Sequence, residues 1–169
     1  METLSSSGKG ATVFFPKKSS LSKVRKYENA VHAEYNGLNP FEVEVAAALD
    51  TLGKIWCRNP SRTGYGIPIA EIGAESRNFY PDFLLWTDTE IWAIDPKGAH
   101  LKEAAVQNKL FDVAEAGGFL PVRIALILQG KYIVSNNGLW SLDDKVGYTL
   151  ARRKTGQVKL QTANNVVEL

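Results

Sequence analysis

The chain is poor in the residues that usually build metal or disulfide scaffolds: it has one cysteine, Cys57, and two histidines, His32 and His100, in 169 residues. A single thiol closes no internal disulfide, and Cys57 with two histidines falls short of a zinc set, so any metal here has to be held by oxygen. No apolar run approaches the length needed to span a bilayer. The opening METLSSSGKGATVFFPKK also lacks the unbroken hydrophobic segment of a secretory signal. These absences point to a cytoplasmic protein with no membrane partner. No phosphate-cradling GxxxxGK[ST] loop and no internal repeat occurs either.

What is present suits one sizeable core: 44% of residues are hydrophobic and 22% charged, close to the globular average, and one domain is the expectation. The net charge of +2 hides an uneven spread. Residues 9 to 26 carry six cations (Lys9, Lys17, Lys18, Lys23, Arg25, Lys26) and no acid, and residues 152 to 159 carry four more (Arg152, Arg153, Lys154, Lys159), again without an acid. Each cluster is either a solvated tail or a surface for a phosphate backbone, whose counterions basic side chains displace. Residues 1–20, rich in Ser, Gly and Lys, read as a flexible basic arm or linker; residues 21–169 read as the domain, with a core over about 39–130.

Periodicity supplies the elements. A short helix is expected within residues 19–39, ending by Gly37. NPFEVEVAAALDTLG predicts a clear helix: Asn39 as N-cap, Pro40 at the first position, Phe41, Val45, Ala48, Leu49 and Leu52 inward, and Gly53 as terminator. KIWCRN is a short strand, and PSRTGYGIP a turn-rich connection. NFYPDFLLWTDTEIWAIDPKGAHL holds two strands, AHLKEAAVQNKLFDVAEAGG a second amphipathic helix with a Gly-Gly stop, and PVRIALILQG a buried strand. Beyond it, Asn-Asn-Gly, Asp-Asp-Lys and Thr-Gly break the chain into short pieces typical of hairpins at a sheet edge. The order is α/β: a mixed central sheet flanked by helices, with a C-terminal edge meander.

A turn at residues 87 to 90 sets Trp86 opposite Ile91, Leu84 opposite Ala93 and Asp82 opposite Asp95. Opposed residues share a face, with Cβ atoms roughly 4.5–5.5 Å apart. Lys97, two residues beyond Asp95, falls on that face too. Two carboxylates so close repel, and apolar surroundings raise the cost. A divalent cation relieves it: Mg²⁺ takes one or two carboxylates together with water and phosphate oxygens. A neighbouring lysine stabilises charge on phosphoryl oxygens or orients water, which is what phosphodiester hydrolysis demands. The bland alternative is an ordinary surface pair behind a strand that starts after Pro81. Glu42, on the stripe of Val45 and Leu49, is the helix acid expected to face this group, with Glu44 the alternative; the helix dipole alone also accounts for either.

The helix glutamate, Pro81-Asp82, and Asp95-Pro96-Lys97 followed by a helix resemble the PD-(D/E)xK nuclease superfamily. YNGLNPFEVEVAAALD, WCRNP, GYGIPI, FYPDFLLW and DPKGAHL look like the C-terminal endonuclease domain of type III restriction enzyme Res subunits and related helicase-linked nucleases, over residues about 35 to 135. The resemblance implies a restriction-endonuclease-like αβββαβ core and a Mg²⁺-dependent DNA endonuclease, with Mn²⁺ as a substitute, serving restriction or phage defence. By position it implies Asp82, Asp95, the Pro96 carbonyl and Glu42 as metal ligands, Lys97 as the group acting on water or phosphate, and Gln107 and Lys109 as accessory polar residues. Arg58 and Asn59 fall either against DNA or at structural turn positions. Lys17, Lys18, Lys23, Arg25, Lys26, Arg62, Arg77, Arg152, Arg153 and Lys154 complete the nucleic-acid surface, with Tyr65 beside Arg62 in the connecting loop. A helicase or translocase and a second copy of the chain are the implied partners. A noncatalytic nucleic-acid-binding or assembly module of the same fold, and a junction resolvase or nickase, remain alternatives. Proline between acid and lysine departs from the family pattern, and it predicts that this strand is at an edge or bulged there.

Overall fold

The computed structural model describes residues 24–69, 77–98, 121–136, 138–154 and 157–169, with only the backbone of Ile69, Arg77, Arg153 and Lys154. The second expected helix, with Gln107 and Lys109, and the arm lysines Lys17, Lys18 and Lys23 lie outside the described residues.

The described part of residues 19–39 is not helical. Arg25–Lys26 (β1) pairs antiparallel with Glu34–Tyr35 (β2), and Asp50 captures the amides between them. The Asp50 carboxylate accepts from Glu28 N at 2.9 Å and Asn29 N at 2.8 Å, while Val31 N donates to Trp56 O at 2.8 Å. These amides are spent on tertiary partners, so no helical ladder can use them.

Pro40–Thr51 forms helix α1 as the sequence leads one to expect. Asn39 Oδ1 accepts from Glu42 N at 2.9 Å, and Glu42 Oε2 returns a bond to Asn39 N at 3.1 Å, a reciprocal capping box. Gly53 takes a left-handed φ of 63° just beyond the C-cap Leu52. Leu52 itself is 53% exposed rather than inward, because the helix has already ended at Thr51.

Eight strands follow: Trp56–Arg58 (β3), Ile67–Ile69 (β4), Arg77–Phe79 (β5), Phe83–Trp86 (β6), Ile91–Lys97 (β7), Val122–Val134 (β8), Trp140–Lys154 (β9) and Gln157–Ala163 (β10). The main sheet has six strands in the order β10-β9-β8-β7-β6-β3, with β7 and β8 parallel and the other neighbours antiparallel. β4 and β5 pair separately as a two-stranded ribbon, so Ile67 and Pro68, expected at the end of a turn-rich connection, lie in a strand. The class is therefore α/β with a mixed sheet, and the described residues are mostly sheet.

Alternation divides the core between two faces. Phe83, Leu85, Ile94, Ala125, Ile127 and Leu150 pack with Phe41, Val45 and Leu49 of α1. Leu84, Ala93, Ile124, Leu126 and Ala151 form the opposite face with Ile67 and Phe79 of the ribbon.

The C-terminal meander is at the sheet edge, as expected, but its strands are long. Asp143, Asp144 and Lys145 lie inside β9 and do not break it. A register shift after Gln129 absorbs the irregularity: Gly130 has φ 95°, and a Cβ there would meet Leu142 Cδ1 at 2.6 Å. The buried Thr149 hydroxyl spans the bulge, accepting from Tyr132 N at 2.9 Å and donating to Gly130 O at 2.8 Å. Among the described residues no helix is long and apolar enough to cross a membrane.

Candidate active site

The β6–β7 register is the expected one, with Leu84 opposite Ala93 and Trp86 opposite Ile91. Thr87 closes the turn: its amide and hydroxyl both donate to Glu90 O, at 2.9 and 2.8 Å. The ladder stops at Phe83–Ile94. The next pair in that register would be Asp82 with Asp95, and the one after it Pro81 with Pro96. Neither proline has an amide hydrogen to give, so the strands separate here.

Pro96 lies in an interior strand that stays in continuous register with β8 through Lys97, contrary to the expectation of an edge or a bulge. The reason is the direction of its nitrogen. Ile91 N donates towards β8, to Pro121 O, so odd-numbered amides of β7 point to β8 and even-numbered ones to β6. Position 96 points to the β6 side, past the last paired residue, where no ladder bond is required. Its carbonyl is directed to the same side.

Asp82 and Asp95 come together across this gap, close enough for the Asp95 carboxylate to act on Asp82. Asp95 is 1% exposed, and Lys97 Nζ lies 2.6 Å from Asp95 Oδ1. The Asp82 carboxyl is pushed up to about 7, first by burial and then by the neighbouring Asp95, with Lys97 opposing and Glu42 adding a little. The hairpin therefore gathers two carboxylates and an ammonium on the face carrying Leu84 and Ala93, opposite α1.

Asn59 holds the Asp82 side of this gap. Its amide donates to Asp82 O at 2.7 Å, and its side-chain Nδ2 donates to Pro81 O at 2.8 Å and Tyr65 O at 2.9 Å. Its Oδ1 accepts from Tyr65 N at 2.7 Å. Only 3% of Asn59 is exposed, so it is a structural clamp and not a surface contact. Gly64 must lack a side chain: a Cβ there would sit 2.2 Å from Asn59 Oδ1. No spacing in the sequence marks this role; a polar residue ending a strand, with two glycines soon after, is the only signal.

Of the two helix acids, Glu42 is the one whose charge reaches Asp82. Its carboxylate is also engaged in the capping box and lies 3.6 Å from Arg58 Nη2. Glu44 is exposed and accepts from the Tyr148 hydroxyl at 2.5 Å, which places it elsewhere. That bond is the main reason the Tyr148 hydroxyl is pushed up to about 12. Tyr148, stacked on Phe41 with ring centroids 5.6 Å apart, joins β9 to the start of α1.

The basic residues scatter. Arg58 donates to Asn36 O at 2.8 Å and Gly37 O at 3.2 Å, bracing the segment before α1. Arg25 and Lys26 are exposed on β1, and Arg62 is exposed in the turn after Asn59 with φ 64°. Arg152 lies on the α1 face, opposite the acids, with its guanidinium 5.5 Å from the Trp92 ring centroid.

A hard cation suits this donor set in part. Asp82, Asp95 and the Pro96 carbonyl are all oxygen donors, and two carboxylates are a usual protein contribution to a Mg²⁺ site. Among the described residues no cluster of three His, Cys, Asp or Glu side chains is close enough to hold an ion unaided.

No curated protein and no solved structure matches the chain. The YagJ family model matches residues 25–130, which span α1, the Asn59 clamp and the whole β6–β7 hairpin with Asp82, Asp95 and Lys97. This match covers well over half of the sequence, and the chain belongs to the YagJ family.

Proposed function

We propose that this chain is a Mg²⁺-dependent DNA endonuclease domain of the PD-(D/E)xK kind, serving restriction or phage defence and similar in its core to type III restriction nucleases. The observation that carries the reading is the meeting of Asp82, Asp95 and Lys97 at the open end of one hairpin. α1, β3, β6, β7 and β8 supply one helix and four strands of a restriction-endonuclease-like αβββαβ order, whose second helix falls outside the described residues.

Asp82, Asp95 and the Pro96 carbonyl would hold Mg²⁺ or Mn²⁺, and Glu42 would complete the shell only on leaving Asn39 and Arg58. When bound, the ion supplies positive charge to the scissile phosphate and makes water there more acidic. The chain's own groups do the remaining work. Asp82 holds a proton near neutral pH and must release it to act as a ligand. Asp95 orients the Lys97 ammonium, which is placed to stabilise charge on a phosphoryl oxygen. Arg25, Lys26 and Arg62 are exposed and would be available to a phosphate backbone. Cutting both strands needs two such centres, so a homodimer or attachment to a translocase is part of the reading. A resolvase or nickase would keep the same residues and differ in dimer geometry.

A noncatalytic nucleic-acid-binding module is the second reading. It is favoured by the engagement of Glu42 with Asn39 and Arg58, which leaves two acids rather than three at the centre. Calorimetry with Mn²⁺, beside DNA binding at two salt concentrations, separates the readings. The endonuclease binds an ion that Asp95→Asn abolishes. The noncatalytic module binds DNA in a salt-dependent way and takes up no ion. A chain that does neither contradicts both.

A further inference from the structure

On the face opposite the acid pair, a half-open cavity of about 210 Å³ lies between α1 and the sheet, bordered at the C-terminal side by Val166, Val167 and Leu169. Its origin is local. α1 presents Ala48 between Val45 and Leu49, and the sheet presents Ala125 between Ile94 and Arg152, so two short side chains line the hollow where longer ones would fill it. Protein interiors usually pack without such hollows, whose linings lose dispersion contacts. The single charged residue in the lining is Arg152. Its guanidinium lies over Trp92, and among the described residues no carboxylate pairs with it. An unpaired guanidinium at the edge of an apolar hollow is complementary to a molecule with one anionic end and an apolar body.

We propose that this cavity binds a medium-chain carboxylate, with its alkyl chain over Ala48 and Ala125 and its carboxylate on Arg152. The charge complementarity of Arg152 selects this occupant over a neutral apolar molecule, because a planar carboxylate accepts two parallel N–H bonds from a guanidinium. The site shares no side chain with the Asp82, Asp95 and Lys97 centre, and it gives Arg152, which the sequence suggests for a nucleic-acid surface, a role in the cavity instead. Leu85 and Ile94, which line the cavity, belong to β6 and β7, the strands of the hairpin that carries the acid pair.

The test is titration of the full chain with octanoate and with octanol by calorimetry, with methyl NMR to locate the ligand. Octanoate is expected to bind and to shift the methyls of Leu49, Ile94 and Leu150, with octanol at least tenfold weaker. Arg152→Gln should weaken octanoate at least tenfold and leave octanol unchanged, and Ala48→Leu, which fills the hollow, should weaken both. If Ala48→Leu fails to fold, the Arg152→Gln comparison decides alone. Absence of octanoate binding at millimolar concentration, equal affinity for acid and alcohol, or shifts confined to other methyls would overturn the proposal.

Discussion

Asp82 and Asp95 meet at the point where the β6–β7 ladder runs out of amide donors. Burial first, and then the neighbouring Asp95, favour a proton on Asp82, whose ordinary value of 3.8 rises to about 7.

The metal-free protein should consequently lose stability as pH rises. Between 3.8 and about 7 the unfolded chain releases the Asp82 proton while the folded chain retains it. The stabilisation is complete below that window and gone above it. Urea unfolding at several pH values should show this decline. In Asp82→Asn, which is neutral throughout, that part of the slope disappears, and the variant is more stable than the wild type at the alkaline end. An unchanged slope would mean that Asp82 is not the group retaining the proton.

Asn59 and Gly64 should behave as one unit. Asn59→Ala strands the buried carbonyls of Pro81 and Tyr65 and should cost about 2–4 kcal/mol in chemical denaturation. Gly64→Ala drives a methyl into Asn59 Oδ1 and should cost about 1–3 kcal/mol by overpacking. Because Asn59→Ala also removes the atom that clashes, the double variant should lose less than the sum. Full additivity would show that the two positions are not in contact.

Much of this architecture is legible in the sequence, and the exceptions have physical causes. The α1 cap and the 82–97 register depend on neighbours in sequence: Asn39 with Glu42, and a polar turn between two alternating strands. The irregular path of residues 27–33 depends on Asp50, which is distant in sequence and reads simply as a helix residue. The Asp-Asp-Lys run looks like a turn, yet it continues β9 because Gly130 on the facing strand takes up the irregularity. The acid pair and Lys97 were visible from counting alone. The Asn59 clamp and the Glu44–Tyr148 bond join residues that no periodicity connects.

The Glu44–Tyr148 bond gives a spectroscopic test. With its hydroxyl held to Glu44, Tyr148 should stay neutral up to about pH 12. In Glu44→Ala its ionisation should fall towards the ordinary value of about 10. Ring ¹³C NMR at about pH 11 distinguishes a largely neutral wild-type ring from a largely ionised one in the variant.

Thr149 makes a comparable prediction for the bulge. Thr149→Val keeps the shape but removes the hydroxyl that serves Tyr132 N and Gly130 O, both buried in β8. The loss should be about 1–3 kcal/mol, read by thermal or urea unfolding. A change within a few tenths would show that the bulge is held by its ladder alone.

The central claim, that Asp82, Asp95 and Lys97 form a phosphodiester-cleaving centre, is tested most directly by incubating supercoiled plasmid with the purified chain and Mg²⁺. The wild type should convert it to nicked or linear DNA, chelation should stop the reaction, and Asp95→Ala and Lys97→Ala should each lower the rate by about 10²-fold or more, in line with the loss of a group that stabilises developing charge. Cleavage that continues undiminished in Asp95→Ala, or a wild-type chain that leaves the plasmid intact with both Mg²⁺ and Mn²⁺, would contradict it.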